Sequence, residues 1–401
     1  MIDLVKVGSV AEVFNGKTPA KSEQRDTGHP VLKIRDVDEF GQFRGGFESF
    51  VDASFAAKHG GRHVKDGDTL ILNAAHNASY VGSKTHLATS ETANALATGE
   101  WLIIRCNPQL VDSAFMNYWI RSTRAREAIK FIVKGIHLYP KDVAELTMPL
   151  PPLSEQRRIV DILSRAESIV RLRRGAQQKS AELVPAIFLD MFGDPTKNPR
   201  GWHKQPITSV CRSSDDVKCG PFGTQLAKSE FQHDGVPLWG IKHVNVGFSV
   251  PTIEFLSDEK AMELDGYSIL SGDIVMTRKG TIGNCALYPS SFPRGVMHSD
   301  LLRIRPDPNK CVAQFLSDQL HISKDVENQI SRSASSGAVM PGINVGRLKS
   351  VHILVPPIEL QRLYAHRVSQ VRSIQDQQVA AIANARAAFD ALLAKVFKEE
   401  K

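Results

Sequence analysis

The fold is decided by a stretch that the chain contains twice. The first copy is Pro151-Pro152-Leu153-Ser154-Glu155-Gln156-Arg157-Arg158, and a diverged copy, Pro356-Pro357-Ile358-Glu359-Leu360-Gln361-Arg362, follows it in the second half. Each copy precedes a long pattern of apolar residues at spacings of three and four, which is typical of an amphipathic helix. Solenoid repeats have periods of about 20 to 50 residues, so a repeat that recurs at 151 and again at 356 indicates a duplicated module.

Two long helices are predicted after these stretches, over residues 153–192 and 358–398. Pro185 is expected to bend or break the first of them. At ~1.5 Å per residue each helix would be about 60 Å long. A helix with a single apolar stripe is poorly stable alone, so we expect the two to pair antiparallel as a coiled coil.

The segments before the helices share one pattern. Residues 1–150 contain short strand-like runs, such as Thr69–Leu72 and Trp101–Arg105, separated by turn residues, and one helix predicted over Ser113–Lys130. Residues 194–355 repeat this pattern in diverged form. We therefore expect an α/β (α+β) protein with two pseudo-repeated globular domains, 1–150 and 194–355, joined by long spacer helices at 151–193 and 356–401.

Composition narrows the functional classes. A chain of 401 residues suits two or more domains, and 42% apolar with 23% charged residues is ordinary for a globular protein. We find no run of the ~18 to 20 apolar residues that a membrane span needs and no signal-peptide pattern, so we expect a cytoplasmic protein without membrane contact. Five cysteines without a CxxC pair predict reduced thiols and no metal site, and a net charge of +7 favours a polyanionic partner.

Taken in order, these segments resemble the specificity subunit of type I restriction–modification systems. The resemblance covers essentially the whole chain: a globular segment, the first proline-rich stretch, a helix ending in Leu189-Asp190-Met191-Phe192-Gly193-Asp194-Pro195, a second globular segment, the second stretch and a final helix. It implies two target recognition domains that each read one part of a bipartite DNA site, held apart by helices that also dock methyltransferase subunits.

The resemblance also implies the partners. These are double-stranded DNA, methyltransferase (M) subunits, of which two are expected, and restriction (R) subunits. No cofactor is expected in this chain, because S-adenosylmethionine, ATP and Mg²⁺ would belong to the partner subunits. Since the two halves differ at nearly every polar position, we expect the target to be asymmetric and interrupted.

The residues expected to contact DNA lie on loops, where a rigid scaffold presents side chains to base edges. Basic, amide and hydroxyl side chains suit guanine, adenine or either base. In the first domain the candidates are Lys17, Thr18, Lys21, Asn73, His76, Asn77, Tyr80 and Lys84. In the second they are Lys218, Phe222, Gln225, Lys228, Arg278, Lys279, Thr281, Arg332 and Ser335. The residues expected on the partner-binding helices are Gln156, Arg157, Ile159, Ile162, Gln361, Arg362 and Leu363.

Catalytic motifs are incomplete. The run Asn15-Gly16-Lys17-Thr18 imitates the end of a P-loop, but Ala11 stands where that pattern needs a glycine. His59 and His63 bracket glycines where a zincin has a helical glutamate. We therefore expect a recognition subunit with no catalytic residue of its own. The alternatives are a protein–protein adaptor on a coiled-coil stalk, an enzyme with two catalytic lobes, and a specificity subunit whose methylase and nuclease are fused in one partner.

Overall fold

A computed structural model describes residues 3–333 and 342–398, and for Ser333 it describes the backbone only. The chain forms two compact units. The first unit runs up to Gly175 and resumes at Ala380, and the second unit is Ala176–Val379. Each unit thus contains one globular segment and a part of both long helical stretches.

The first unit begins with a sequence of short strands and ends with helices. Its elements are β1 Asp3–Lys6, α1 Val7–Val10, β2 Ala11–Asn15, β3 Gln24–Arg25, β4 His29–Leu32, β5 Phe50–Val51, α2 Ala53–Lys58, β6 Thr69–Leu72, β7 Thr85–Leu87, β8 Leu96–Ala97, β9 Trp101–Cys106, α3 Ser113–Arg121, α4 Thr123–Ile132, α5 Pro140–Ala144, β10 Thr147–Leu150 and most of α6 Leu153–Ala181. The single helix predicted over residues 113–130 is wrong, because Ser122 has an extended backbone and caps α4, its hydroxyl accepting a hydrogen bond from the Ala125 amide.

The second unit repeats this order. Its elements are α7 Leu183–Phe192, β11 Lys204–Pro206, β12 Val217–Cys219, β13 Val236–Trp239, α8 Ile241–Asn245, β14 Phe255–Leu256, α9 Asp258–Glu263, β15 Ser268–Ile269, β16 Ile274–Thr277, β17 Cys285–Leu287, β18 Gly295–Met297, β19 Leu301–Ile304, α10 Ala313–Ile322, α11 Lys324–Ser333, α12 Val345–Lys349, β20 His352–Leu354 and the first part of α13 Ile358–Val396.

The antiparallel sheets of the two units have the same topology, and their mixed sheets share three strands in the same order, β5-β4-β8 and β14-β13-β18, but differ in the fourth strand. An antiparallel sheet has the strand order β2-β9-β6-β7 in the first unit and β12-β19-β16-β17 in the second. A second, mixed sheet has the order β3-β5-β4-β8 in one unit and β14-β13-β18-β15 in the other, with β4 parallel to β8 and β13 parallel to β18. The predicted α/β architecture is therefore confirmed.

An ion pair between a buried aspartate and a partly exposed arginine recurs in both antiparallel sheets. Arg105 on β9 donates to both carboxylate oxygens of Asp68, at 2.9 and 2.7 Å, and Arg305 after β19 donates to both oxygens of Asp273 at 2.7 Å. Each aspartate is buried and precedes the strand beside the arginine. Two parallel bonds fix the guanidinium against the carboxylate, so the pair holds the loop before β6 or β16 to the neighbouring strand.

The long helical stretches complete the core of each unit. In the first unit Leu163 of α6 and Phe389 of α13 are buried in one core with Phe115 and Trp119 of α3. The second unit has the corresponding arrangement, in which residues of α7 and of the start of α13 join the core around α10. Apolar residues of both helical stretches therefore share a core within each unit.

The first helical stretch is divided, as the proline predicts. α6 ends at Ala181 and α7 begins at Leu183, so residues 153–192 form two helices where the sequence pattern suggested one. Pro185 lacks the amide that would bond to the Ala181 carbonyl four residues earlier, and its ring crowds that carbonyl. In the first turn of α7 the missing amide costs nothing, because amides there have no partner within the helix. The second stretch is one helix of 39 residues.

In both units a carboxylate and an arginine connect a long helix to the globular segment. The carboxylate is on the long helix in the first unit and on the globular segment in the second. In the first unit Glu167 of α6 accepts hydrogen bonds from Tyr118, at 3.0 Å, and from Arg121, both on α3. In the second unit the carboxylate is on the globular side. Asp318 of α10 accepts from Tyr364 at 2.9 Å and from Arg372 at 2.8 Å, both on α13.

Within residues 3–333 and 342–398, no helix is both long and apolar enough to cross a bilayer. The same residues hold no group of three or more His, Cys, Asp or Glu side chains placed to bind a metal ion. The five cysteines are free thiols. Burial raises the pKa of Cys285 and of Cys311 to about 12, so both thiols are protonated at neutral pH.

Candidate nucleic-acid interface

The predicted loops of the first unit meet at Asn73, directly after β6. Its side-chain amide donates to the Asn15 side chain at 3.1 Å and to the Gly99 carbonyl at 2.9 Å. Its backbone amide donates to the Glu100 carbonyl at 2.8 Å, and its carbonyl accepts from the Leu138 amide at 2.8 Å. Asn73 is buried, and its side chain and backbone together bond to three separate chain segments, at Asn15, at Gly99 and Glu100, and at Leu138.

The first predicted loop follows β2. Gly16 approaches the backbone so closely that a Cβ atom there would lie 2.2 Å from the Thr98 carbonyl oxygen, which only glycine avoids. Lys17 donates its backbone amide to the Ala97 carbonyl at 2.7 Å, and the Thr18 hydroxyl accepts from the Gly99 amide at 2.8 Å. The side chains of Lys17, Thr18 and Lys21 are exposed. The loop is thus fixed through its backbone and presents two lysines to solvent.

The second predicted loop divides into an exposed and an internal part. His76, Asn77 and Tyr80 are exposed, and the Asn77 side chain also accepts from the Ser79 amide at 3.0 Å, which fixes the turn. Lys84 behaves differently, because its ammonium group donates to the Ile34 carbonyl at 2.9 Å and to the Val37 carbonyl at 2.5 Å. Burial lowers the pKa of Lys84. The structure does not bring Lys84 together with the exposed members of this loop.

In the second unit Tyr267 organises the loop after β12, which contains Gly220 and Gly223. Its hydroxyl donates to the Gln225 side chain at 3.0 Å, and the Lys218 ammonium lies 4.9 Å from its ring centroid. Gln225 also accepts from the Phe222 amide at 3.0 Å, while the Phe222 ring is exposed. Lys228 is exposed at the start of a short 3-10 helix. Sequence reasoning did not select Tyr267, because it lies on a different segment from the residues it connects.

Arg278 occupies in the second unit the place of Asn73 in the first. It follows β16, its backbone amide donates to the Asp300 carbonyl at 3.0 Å, and its carbonyl accepts from the Ile343 amide at 3.1 Å. Its guanidinium donates to the Ser299 carbonyl at 3.3 Å, as the Asn73 amide does to Gly99. Arg278 is only half-buried.

The residues after Arg278 have acidic and amide neighbours. Lys279 pairs with Asp300 at 2.9 Å, and the Thr281 hydroxyl donates to the Asn245 side chain at 2.8 Å. Asp300 and Asn245 were not selected from the sequence, and both are reached only through the fold. Arg332 lies apart, exposed on α11, and Ser335 lies outside the described residues.

The predicted partner-facing residues also divide into two groups. Gln156 and Gln361 are fully buried. The Gln156 side chain accepts from the Asp112 amide at 2.8 Å and donates to the Pro151 carbonyl at 2.8 Å, and Gln361 makes the same bonds with Val312 and Pro356 at 2.9 and 2.7 Å. These bonds fix the start of each long helix to its own globular segment.

The other residues expected on the partner-binding helices lie on the solvent-facing side of these helices or at the edge of that side. Arg157, Arg362 and Leu363 are exposed, Ile162 is largely exposed, and Ile159 is half-buried against the core of the first unit. Arg362 also pairs with Glu359 within its helix. A partner can therefore reach Arg157, Ile162, Arg362 and Leu363, whereas Gln156 and Gln361 already bond to the backbone of this chain.

Comparison with known proteins agrees with this arrangement. The family model for the type I restriction modification DNA specificity domain matches residues 2–182 and again residues 199–384. The EcoKI specificity subunit of Escherichia coli (strain K12) is 21% identical, over 99% of this chain and 88% of that protein.

Two solved structures share the fold. One, described as the basis of complex assembly and conformational transition of the type I R-M system, has a TM-score of 0.60 at 20% identity and covers 100% of this chain and 98% of its own. The S subunit from M. genitalium has a TM-score of 0.53 at 16% identity, covering 100% and 97%. The resemblance noted in the sequence is thereby confirmed, and the chain belongs to the type I restriction modification DNA specificity domain family, with two copies of the domain.

Proposed function

We propose that the protein is the specificity subunit of a type I restriction–modification complex, and that each globular domain, 1–150 and 194–355, reads one part of an asymmetric, interrupted DNA target. One observation carries this proposal. Both units hold loops at the same place, after the first and second strands of the antiparallel sheet in chain order. Equivalent backbone bonds fix the first loop at Gly16 or Gly220 and the second loop at Asn73 or Arg278. The exposed side chains on those loops differ between the units, which favours two different short sequences over an inverted repeat.

The chemistry of the loops suits duplex DNA. Lys17, Lys21 and Lys228 are exposed cations that can contact phosphates, while Asn77 and Gln225 carry amides that can bond adenine edges. The net charge of +7 has the sign that a polyanion requires.

We further propose that the long helical stretches, residues 151–193 and 356–401, pair antiparallel as a coiled coil and set the spacing between the half-sites. A spacer of this length suits half-sites about one to one and a half turns of DNA apart. Deleting seven residues, about two helical turns, from 171–182 is expected to shorten the preferred spacing. An unchanged spacing would contradict this part of the proposal.

The partners follow from the same reading. Methyltransferase (M) subunits, two by expectation, would dock on exposed positions near the helix starts, such as Arg157, Ile162, Arg362 and Leu363, and restriction (R) subunits would join them. Those subunits would bind S-adenosylmethionine, ATP and Mg²⁺, and this chain would carry out no chemistry. We place the complex in the cytoplasm, where it meets DNA.

The experiment that tests the proposal is methylation mapping by long-read sequencing. A host without other methyltransferases receives this gene with the methyltransferase gene beside it. We expect one asymmetric, interrupted methylated motif, and exchanging residues 1–150 for the same domain of a relative should change one half-site only. If the methyltransferase is active on other DNA but this chain directs it to no motif, or if the exchange alters both half-sites, the proposal is wrong.

A further inference from the structure

A hairpin that sequence reasoning passed over lies beside the predicted reading loops of the first unit. Lys134 and His137 exchange two backbone hydrogen bonds, at 2.9 and 3.1 Å, around Gly135 and Ile136. Gly135 has a φ of 63°, a left-handed conformation that glycine adopts without strain. The hairpin is therefore a defined turn, closed by its own backbone bonds.

This hairpin is attached to the loop after β6. The Leu138 amide donates to the Asn73 carbonyl at 2.8 Å, the Ala75 amide donates to the Ile136 carbonyl, and Ala74 and His137 form an antiparallel bridge. Paired strands lie about 4.8 Å apart, so the hairpin runs one strand-width from the segment that continues into His76.

The attachment recurs in the second unit. Ile343 donates to the Arg278 carbonyl at 3.1 Å, and Lys279 and Gly342 form an antiparallel bridge. Each of these residues stands 205 positions after its counterpart, Leu138, Asn73, Ala74 or His137. A backbone arrangement that persists in both copies, although the side chains on it have changed, belongs to the common frame of the domain.

The outer face of the hairpin suits DNA. Ile136, His137 and Tyr139 are exposed, and the Lys134 ammonium lies 5.9 Å from the Tyr139 ring centroid while pairing with Asp142. Histidine and tyrosine provide a hydrogen-bond donor and acceptor for a base edge or phosphate, and an exposed isoleucine can contact a thymine methyl group.

We infer that the hairpin Lys134–Tyr139 is a third DNA-contacting segment of the first domain, beside the loops at Lys17 and His76, and that Asn73 is the positioning residue that holds the three together. The inference rests on the proposed function. In this inference Asn73 positions the loops and does not contact DNA, whereas His137 and Tyr139 contact a base or a phosphate.

The test is methylation mapping and duplex competition with the complete methyltransferase complex, using His137→Ala and Tyr139→Ala. Loss of one specific contact lowers discrimination about tenfold, so we expect that loss at the first half-site only. The second half-site is the internal control. His203→Ala removes an exposed histidine of the second unit, outside the proposed DNA loops and the long helices, and should change neither half-site. Tyr139→Phe keeps the ring and removes only the hydroxyl, and serves where the alanine variant does not fold.

Two outcomes separate the inference from the proposed function. If Asn77→Ala and Tyr80→Ala relax the first half-site but His137→Ala, Tyr139→Ala and Tyr139→Phe leave it unchanged, the hairpin does not contact DNA and the proposed function stands. If the motif exists and none of these variants alters it, the inference is wrong; if no motif exists although the methyltransferase is active, the proposed function itself fails. For Asn73→Ala we expect relaxed discrimination with unchanged salt dependence, because no phosphate contact is lost.

Discussion

The ion pair between Glu167 of α6 and Arg121 of α3 allows a quantitative prediction of how strongly the long helix is coupled to the globular segment in the first unit. The Arg121–Glu167 pair is partly buried, with side chains 13% and 31% exposed. Hydrogen bonds to charged groups contribute about 1.5–3 kcal/mol, and fully exposed ion pairs about 0–1 kcal/mol. Both side chains are less than one-third exposed, so the pair belongs to the first range, and we expect a coupling energy of about 2 kcal/mol in a double-mutant cycle of Glu167→Gln and Arg121→Met.

The measurement has to isolate the first unit, because a chain with two units need not unfold in one step. Hydrogen exchange of peptides from α3 and α6, followed across a denaturant series, gives the local unfolding free energy for each variant. Loss of about 2 kcal/mol corresponds to a Tm about 4–8 °C lower for a unit of this size. Peptides of the second unit should exchange at the wild-type rate.

A matched control lies on the same helix. Arg165 and Asp161 form a 2.9 Å pair with side chains 77% and 55% exposed. The same cycle there should give a coupling of about 0.5 kcal/mol or less. Equal coupling energies for the two pairs would refute the reasoning, because burial would then not strengthen the first.

The charge exchange also predicts a sign. Position 167 corresponds to Arg372 in the second copy, and Glu167→Arg would place two guanidinium groups at the Tyr118 contact of the first unit. We expect Glu167→Arg to destabilise the first unit more than Glu167→Gln, and Arg121→Glu added to it to restore part of the loss. No recovery in the double variant would mean that packing, not charge, decides this contact.

Three further predictions concern the interior. Gln361→Ala leaves two buried backbone groups without partners and is expected to lower the unfolding free energy of the second unit by about 1–3 kcal/mol, measured by denaturant titration. Arg305→Met leaves the 2% exposed carboxylate of Asp273 without its cation and should cost about 3 kcal/mol, whereas Arg305→Lys keeps the charge and should cost less. Because burial raises the pKa of Cys285 and Cys311 to about 12, both thiols should resist iodoacetamide at pH 8.5 until guanidinium is added. The contribution of these protonated thiols to the stability of the second unit is complete below the unfolded-state pKa near 8.5 and is lost as the pH rises toward 12. Alkylation before guanidinium is added would contradict the burial of the two thiols.

Much of the fold could be read from local patterns. The predicted strand Thr69–Leu72 coincides with β6, and the run Trp101–Arg105 is β9 without its last residue. Pro185 marks the division between α6 and α7 because its effect depends only on backbone four residues away. The break at Ser122 was missed, since apolar residues continue at helical spacing on both sides of it while the extended backbone of one residue turns the chain.

The candidate site was predicted less well, for a physical reason. Composition indicates which side chains could bind DNA, but the burial of Asn73 depends on Asn15, Gly99 and Leu138, which are far from it in sequence. The hairpin at Lys134 was overlooked for the same reason, because only long-range backbone bonds bring it to the reading loops. Gln156 and its copy carried a usable signal, because a polar residue repeated within two otherwise diverged halves points to a structural contact.

Comparison of the two copies of the domain distinguishes the backbone contacts that both copies share from the loop segments that differ between them. A glycine follows β2 and another follows β12, and at each of them an added Cβ atom would lie within about 2.2 Å of a carbonyl oxygen. Each copy then reaches the same sequence, which is Ala20-Lys21-Ser22-Glu23 in the first and Ala227-Lys228-Ser229-Glu230 in the second. In both, the glutamate side chain accepts from the alanine amide, at 2.7 and 2.6 Å. The segments between these fixed points differ, with residues 17–19 in the first copy and 221–226 in the second. A loop of different length cannot place its side chains at equivalent points of a DNA groove, so the two domains would present different contacts from the same frame, and that difference favours an asymmetric target.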